Sequence, residues 1–260
     1  MNYFLDNLKN RFDFFMRNHI TFSRKNYTEG VNQENAVNFE NIFENDEQKN
    51  LYLALIQKYD LNPFYNLNKV NFLTNLHYLA VFDKYISPPQ KENVSVLDIG
   101  SKNWNYAGSE YAFFKKYAKS LTLTGIELDG YRLCTNLYNR YEIAKFYTKC
   151  LPNTNYIIGD FMEHNEKYDY IIWILPFITE YPHLKWGLPL KYFQPEKMLE
   201  HAHNLLNKNG EMLIINQGET EYKIQTELNK KLNLNYEPTG EIKSICSPFK
   251  NKRFCSKIIK

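Results

Sequence analysis

Apolar residues recur at helical intervals at the start of the chain. Leu5, Leu8, Phe12, Phe15 and Met16 are spaced so that they share one side of a helix. The pattern predicts an amphipathic helix in this segment.

The next residues predict a mostly helical extension that ends at two prolines. A polar stretch at 26–50, rich in Asn and Glu, predicts a loop with room for one short helix, and apolar-periodic segments at 51–59 and 70–85 predict further helices. Pro88 and Pro89 supply no backbone N–H and disfavour helix before them. We therefore place the end of a helical extension near residue 90. It is expected either to cover a ligand cleft or to form an interface.

Beyond residue 90, short apolar runs alternate with helical spacing. Runs rich in β-branched and other apolar residues predict strands at 94–100, 121–127, 155–159, 168–175 and 212–216. Helical spacing predicts helices at 109–119, 130–147, 195–207 and 219–232. The last two runs, 241–246 and 253–259, predict antiparallel strands around a turn that contains Pro248.

This alternation predicts an α/β domain over residues 91–260. Strands that alternate with helices form a mostly parallel sheet with right-handed crossovers. The two terminal strands would add an antiparallel edge, which is common in mixed sheets.

Three consecutive predicted strands end in a carboxylate, at Asp98, Glu127 and Asp160. In such a sheet these ends meet at one edge, where ligands bind near the reversal of strand order. Glu127 could accept hydrogen bonds from both hydroxyls of a ribose, and Asp160 from the exocyclic amine of an adenine. Asp98 could orient an ammonium group, and Gly100 would allow close approach of the backbone. Taken singly, each Asp could equally be a helix cap and the Gly only a turn.

The motifs around these carboxylates occur in a known order. They read VLDIG at 96–100, TGIE at 124–127, IGDF at 158–161, YDYII at 168–172 and LLNKNGEMLI at 205–214. In this order they resemble the class I S-adenosylmethionine-dependent methyltransferases over 94–260. The resemblance implies a Rossmann-like, seven-stranded, mostly parallel sheet with an antiparallel C-terminal hairpin, and S-adenosyl-L-methionine as cofactor. It implies that the cofactor-binding residues are Asp98, Gly100, Ser101, Glu127, Leu128, Asp160, Phe161 and Trp173.

The first loop departs from that family. The family usually has further glycines after the first, as in DxGxGxG, whereas this chain has Gly100 followed by Ser101, Lys102, Asn103 and Trp104. The loop is also longer than usual, and Gly108 is a candidate for a later turn. The departure argues against a nicotinamide enzyme, whose pyrophosphate needs close backbone approach at G-x-G-x-x-G.

The segment after the fourth strand, 175–194, is the candidate wall for the methyl acceptor. Within it His183 is the candidate general base, because its ordinary pKa lies near 6.5. Tyr181 and Trp186 could shape an apolar substrate pocket. The alternative for His183 is an ordinary loop histidine.

Composition narrows the function classes. The four cysteines show no metal-ligand spacing, and no apolar run approaches the length of a membrane span. Charged residues interrupt the apolar pattern of the first helix, which argues against a secretory signal. We therefore expect a cytoplasmic protein with no membrane association and no metal. The preferred function is methylation of a small molecule.

Two other functions stay open. Between residues 241 and 260 there are six Lys or Arg and one acidic residue, which would suit an RNA methyltransferase if these cations met phosphates. They could equally form a solvated edge. The altered glycine loop leaves a non-catalytic cofactor-binding or scaffold protein as the third reading.

Overall fold

A computed structural model describes residues 3–29, 42–64, 67–247 and 249–260. Its strands are β1 Asn93–Ile99, β2 Ser120–Glu127, β3 Thr154–Ile158, β4 Tyr168–Ile174, β5 Leu206–Gln217, β6 Tyr236–Glu241 and β7 Arg253–Ile259. They form one sheet in the order β3-β2-β1-β4-β5-β7-β6. The first five strands are parallel, and β7 runs antiparallel between β5 and β6. The expected fold class, with its antiparallel terminal hairpin, is confirmed.

Helices cover both faces of this sheet. They are α1 Tyr3–His19, α2 Asp46–Lys58, α3 Lys69–Tyr85, α4 Ala107–Tyr117, α5 Arg140–Thr148, α6 Glu180–Lys185, α7 Pro195–Leu205 and α8 Gly218–Lys231. Because side chains alternate along a strand, Val94 and Val96 of β1 pack into the core beneath α3 and α4. Leu97 and Ile99 of the same strand pack into a second core with α7.

The helices before Pro88 divide into two groups by their packing. Helices α2 and α3 contribute Leu55, Phe72 and Leu79 to the same core as β1, so they extend the layer formed by α4. Helix α1 instead lies beside α6. Among the described residues, no helix is long and apolar enough to cross a membrane.

Helix α1 faces the rest of the molecule with polar side chains. Asn7 accepts a hydrogen bond from Leu190 N at 2.8 Å, and Asn10 donates to the carbonyl of Leu184 at 2.8 Å. Large apolar side chains are exposed on the helix: Phe4, Leu5, Leu8, Phe12 and Phe15. The predicted helix is therefore present, but of its five predicted apolar positions only Met16 is half-buried and the other four are exposed.

Two predicted elements have different bounds in the structure. The helix predicted at 130–147 begins only at Arg140, and the residues before it form a loop with a bridge between Leu133 and Asn139. The Asn139 side chain accepts a hydrogen bond from Glu142 N at 2.9 Å, which fixes the first turn of α5. An Asn followed three residues later by Glu is a helix-start signal that apolar periodicity alone overlooked.

The strand predicted at 241–246 was also misplaced, because β6 covers Tyr236–Glu241. This strand is at the edge of the sheet and contains Pro238, with a shift of register between Pro238 and Gly240. Proline is tolerated on an edge strand, where its missing N–H need not pair. Pro248 and part of the polar stretch at 26–50 lie outside the described residues.

We predict that Asn139→Ala lowers the free energy of unfolding by about 1 kcal/mol, because the first turn of α5 loses its cap. Urea denaturation measures the change. The matched control is Asn251→Ala. Asn251 is exposed, and its hydrogen bond with the described residues is made by its backbone carbonyl, which the substitution leaves in place. Equal stability of the two variants would contradict the assigned cap.

Candidate cofactor site

A cavity lies at the carboxyl ends of β1, β2 and β4, where the strand order reverses. From β1 the sheet grows through β2 to β3 on one side and through β4 to β5 on the other. Ligands of open α/β sheets bind at this kind of reversal. The cavity volume is about 100 Å³, and the empty space between the lining residues is about 840 Å³ when the open solvent at the mouth is included. Of the residues predicted to bind the cofactor, its lining includes Gly100, Glu127, Leu128, Asp160, Phe161 and Trp173.

Glu127, at the end of β2, is buried and bonded to three groups. Its Oε1 accepts from Asp129 N at 2.9 Å and from Arg140 Nη1 at 2.8 Å, while Oε2 accepts from Lys102 N at 2.9 Å. A carboxylate has about four acceptor positions. One position therefore stays available on Oε2, fewer than the two that the sequence interpretation assumed for a ribose.

Asp160 combines the two roles that the sequence left open. Its Oδ1 caps the short 3₁₀ helix Phe161–Glu163 by accepting from Met162 N at 2.9 Å. Its Oδ2 makes no hydrogen bond with the described residues, and the residue lines the cavity. The cap fixes the carboxylate while leaving one oxygen for a ligand. Phe161 and Leu128 line the same end of the cavity.

Gly100 makes the turn out of β1 in a left-handed conformation, with φ of 72°. A Cβ added there would meet no atom within 4 Å. Because Gly100 also lines the cavity, its backbone faces space that a ligand can enter.

Asp98 and Ser101, by contrast, do not line this cavity. Asp98 follows Val94 and Val96 on the side of β1 that faces α4, and it is fully buried. Neither of its carboxylate oxygens, nor the Ser101 hydroxyl, has a partner with good hydrogen-bond geometry among the described residues, although Glu110, Tyr106 and Trp104 lie close enough to Asp98 to affect its pKa. Two of the three strand-end carboxylates therefore share a cavity, and the third belongs to the interior.

The interior around Asp98 holds a second buried carboxyl, Glu110 of α4. Burial is the main cause that raises the pKa of Asp98 and of Glu110, and the charge of Asp98 raises the pKa of Glu110 further. Two carboxylates this close cannot both ionise at low cost. Burial and mutual repulsion therefore favour the protonated form of these carboxyls.

Trp104 occupies the space behind the first loop. It is fully buried with φ of 46°, and its indole N–H donates to Glu110 Oε2 at 3.0 Å. The ring lies against Gly125 of β2, where an added Cβ would stand 2.8 Å from it. The indole does not line the cavity, so the enlarged loop leaves the cavity open.

Lys102 is a cavity residue that the sequence interpretation did not assign. Its side chain lies over the Trp186 ring, with Nζ 4.9 Å from the ring centre. Burial, foremost, lowers the pKa of Lys102 to about 8, and the nearby Arg140 charge adds to this effect. The sequence did contain a signal for this residue. Lys102 is a cation two residues after Gly100, at a position where the methyltransferase pattern DxGxGxG has a glycine.

His183 lines the cavity but is held by the protein itself. It is buried, its Nε2 lies 2.9 Å from the Pro189 carbonyl, and its ring packs against Phe177 and Phe193. A carbonyl only accepts, so Nε2 carries the proton and Nδ1 alone could take one up. Burial lowers the pKa of His183.

The two predicted substrate residues have different positions. Tyr181 is 55% exposed and does not line the cavity. Trp186 does line it, and its ring has three cations within 6.0 Å, from Lys102, Arg132 and Arg140. Only Trp186 is placed to contact a ligand in this cavity. In the part of the chain that the structure describes, no cluster of His, Cys, Asp and Glu could hold a metal ion.

Comparison with known proteins gives a likeness of fold. No protein-family model matches the chain, and no curated protein matches it. Among solved structures, the precorrin-6y C5,15-methyltransferase of Geobacter metallireducens has a TM-score of 0.48 at 10% identity, covering 70% of this chain and 88% of that one. An S-adenosylmethionine-dependent methyltransferase of Aquifex aeolicus has a TM-score of 0.49 at 12% identity, and the match covers 71% of this chain and 89% of that chain. A methyltransferase of Pyrococcus furiosus has a TM-score of 0.48 at 16% identity, and the match covers 72% of this chain and 83% of that chain.

We predict that Gly125→Ala lowers the free energy of unfolding by about 1–3 kcal/mol, because the new methyl group overlaps the buried Trp104 ring. Urea denaturation measures the loss. Gly159→Ala is the matched control, since a Cβ there meets nothing within 4 Å. Similar stability of the two variants would mean that the indole does not pack on β2 as described.

We predict that Asp98 makes the free energy of unfolding fall as the pH rises from about 4, the ordinary pKa of a carboxyl, to about 7, its pKa in the folded protein. The pKa of Asp98 is raised in the folded protein, so the unfolded chain loses this proton first and gains stability relative to the fold. The slope for one proton is at most about 1.4 kcal/mol per pH unit. Asp98→Asn should flatten the curve measured by denaturation at several pH values, whereas Asp60→Asn, at an exposed carboxylate, should not. Parallel curves for all three proteins would contradict the buried pair.

Proposed function

We propose that this protein is an S-adenosylmethionine-dependent methyltransferase that acts on a small molecule. The observation that carries the proposal is the cavity at the strand-order reversal, into which β2 and β3 deliver Glu127 and Asp160. Acidic groups at adjacent strand ends suit a nucleoside, which presents hydroxyl donors on its ribose and an amine donor on adenine.

The free acceptor positions match an adenosine. Asp160 Oδ2 would accept from the exocyclic amine, with Leu128 and Phe161 supplying apolar walls for the base. Glu127 Oε2 would accept from one ribose hydroxyl, and Arg140, which already holds Glu127 at 2.8 Å, could donate to the other. The unfilled acceptor positions on Asp160 Oδ2 and Glu127 Oε2, together with the open side of Gly100, are thus consistent with the cofactor.

The cofactor would supply an activated methyl group, so the protein's task is to align the acceptor and exclude water. Beyond β4 the cavity wall is apolar, formed by Leu175, Pro176, Phe177, Leu188 and Tyr192. The most available proton acceptor in this wall is His183 Nδ1, since its Nε2 is bonded to Pro189. Such surroundings suit a small acceptor that needs little deprotonation at neutral pH.

The basic C-terminal segment gives little support to an RNA substrate. Lys252 pairs with Glu241 at 3.0 Å, and Lys257 with Glu237 at 2.9 Å. Lys260 donates to the carbonyl of His203 at 3.0 Å. Since these cations bind within the chain, we prefer a small-molecule acceptor.

The test is calorimetric titration with S-adenosylhomocysteine and with S-inosylhomocysteine, which carries a carbonyl in place of the adenine amine. The wild-type protein should bind the adenosyl compound at least about tenfold more tightly, because Asp160 accepts from an amine but repels a carbonyl.

Asp160→Asn should reduce or reverse that preference. The new amide still caps Phe161–Glu163 through its oxygen and presents an N–H to the base. Glu163→Gln makes the same chemical change on the same short helix, at an exposed residue outside the cavity, and should change nothing. Absence of binding by either compound to the wild-type protein would refute the proposed function.

A further inference from the structure

The Lys102 ammonium lies at the junction of two cavities. The residue lines the cofactor cavity and a neighbouring one bounded by Pro182, Gln217 and Glu221. Its Nζ makes no hydrogen bond and no ion pair with any of the described residues, and its side chain lies over the Trp186 ring. Lys102 is half-buried, and among the described residues no carboxylate lies within ion-pair distance of its Nζ, so a ligand that supplies an anion would stabilise this ammonium.

The other cations near this cavity are already paired. Arg140 binds Glu127 at 2.8 Å, and Arg17 binds Asp129 at 3.0 Å. Arg132 also binds Asp129 and donates to the Trp186 carbonyl. Lys102 differs from them in having its charge unmatched.

The backbone of Lys102 is fixed from both sides. Its N–H donates to Glu127 Oε2 at 2.9 Å, and its carbonyl accepts from the Tyr156 hydroxyl. The residue has φ of 57°, a left-handed conformation that two such bonds stabilise. The ammonium is therefore presented from a rigid loop and not from a mobile one.

We propose that Lys102 binds the carboxylate of the methionine moiety of the cofactor. This inference rests on the proposed function. With adenine at Asp160 and ribose at Glu127, the remaining chain of the cofactor would extend toward Gly100 and Leu175 at the ends of β1 and β4. Lys102 is close to Leu175, since the two residues line the neighbouring cavity together. The loop thus replaces the glycine backbone usual in the family by a charged side chain.

The charges around Lys102 set the pH range of this contact. Arg140 and Arg253 lower the pKa of its ammonium, Glu127 and Asp98 raise it, and burial is the largest cause of the value of about 8. A bound carboxylate favours the protonated form. The contact should be strongest below pH 8 and weaken above it.

The test compares S-adenosylhomocysteine with methylthioadenosine, which has the same nucleoside but no amino acid. Lys102→Met should weaken binding of S-adenosylhomocysteine about tenfold or more and leave methylthioadenosine within about twofold. Lys102→Arg should retain most of the affinity. Lys145→Met, on the outer side of α5, is the matched control and should bind both compounds as the wild type does.

The pH dependence gives a second readout. From pH 7 to pH 9, wild-type affinity for S-adenosylhomocysteine should fall more steeply than that of Lys102→Met, with no such difference for methylthioadenosine. If the variant weakens both compounds equally, or neither, the inference is overturned while the nucleoside site stands. If the wild type binds neither compound, the proposed function fails with it.

Discussion

The cavity depends on one buried carboxylate. Glu127 receives hydrogen bonds from the backbone of Lys102 in the first loop, from Asp129 after β2, and from the guanidinium of Arg140 at the start of α5. The first loop, the turn after β2 and the start of α5 are therefore joined at one side chain. Removing one partner of such a buried pair is costly, because the remaining charge loses its compensation. The carboxylate thus has an architectural role in addition to any contact with a ligand.

Much of the fold could be read from the sequence because the central strands β1, β2, β4 and β5 are largely buried on both faces. Runs such as 168–174 are nearly all apolar, and glycine or a carboxylate marks where several of them end. The misplaced elements were those that depend on local hydrogen bonds or on position at a sheet edge. The start of α5 is set by the Asn139 cap, and β6 tolerates Pro238 only because it is outermost.

The candidate site was only partly predictable from the sequence. A residue at the end of a strand lies at a known edge of the sheet, but its position alone does not give the face toward which its side chain points. Glu127 and Asp160 line the cavity as expected, yet alternation along β1 directs Asp98 to the opposite face, beside Glu110. Lys102 drew attention because its ammonium has no hydrogen-bond or ion-pair partner among the residues that the structure describes. The sequence alone does not reveal which side chains surround it. The same holds for Tyr181, which is aromatic and well placed in sequence but faces solvent.

The contact between Trp104 and Gly125 has a consequence for evolution. The indole fills the volume directly above a residue of β2 that has no side chain, and it can do so only while that position stays empty. The two positions should therefore co-vary among homologous chains. Sequences that carry a side chain at position 125 should have a small residue at position 104.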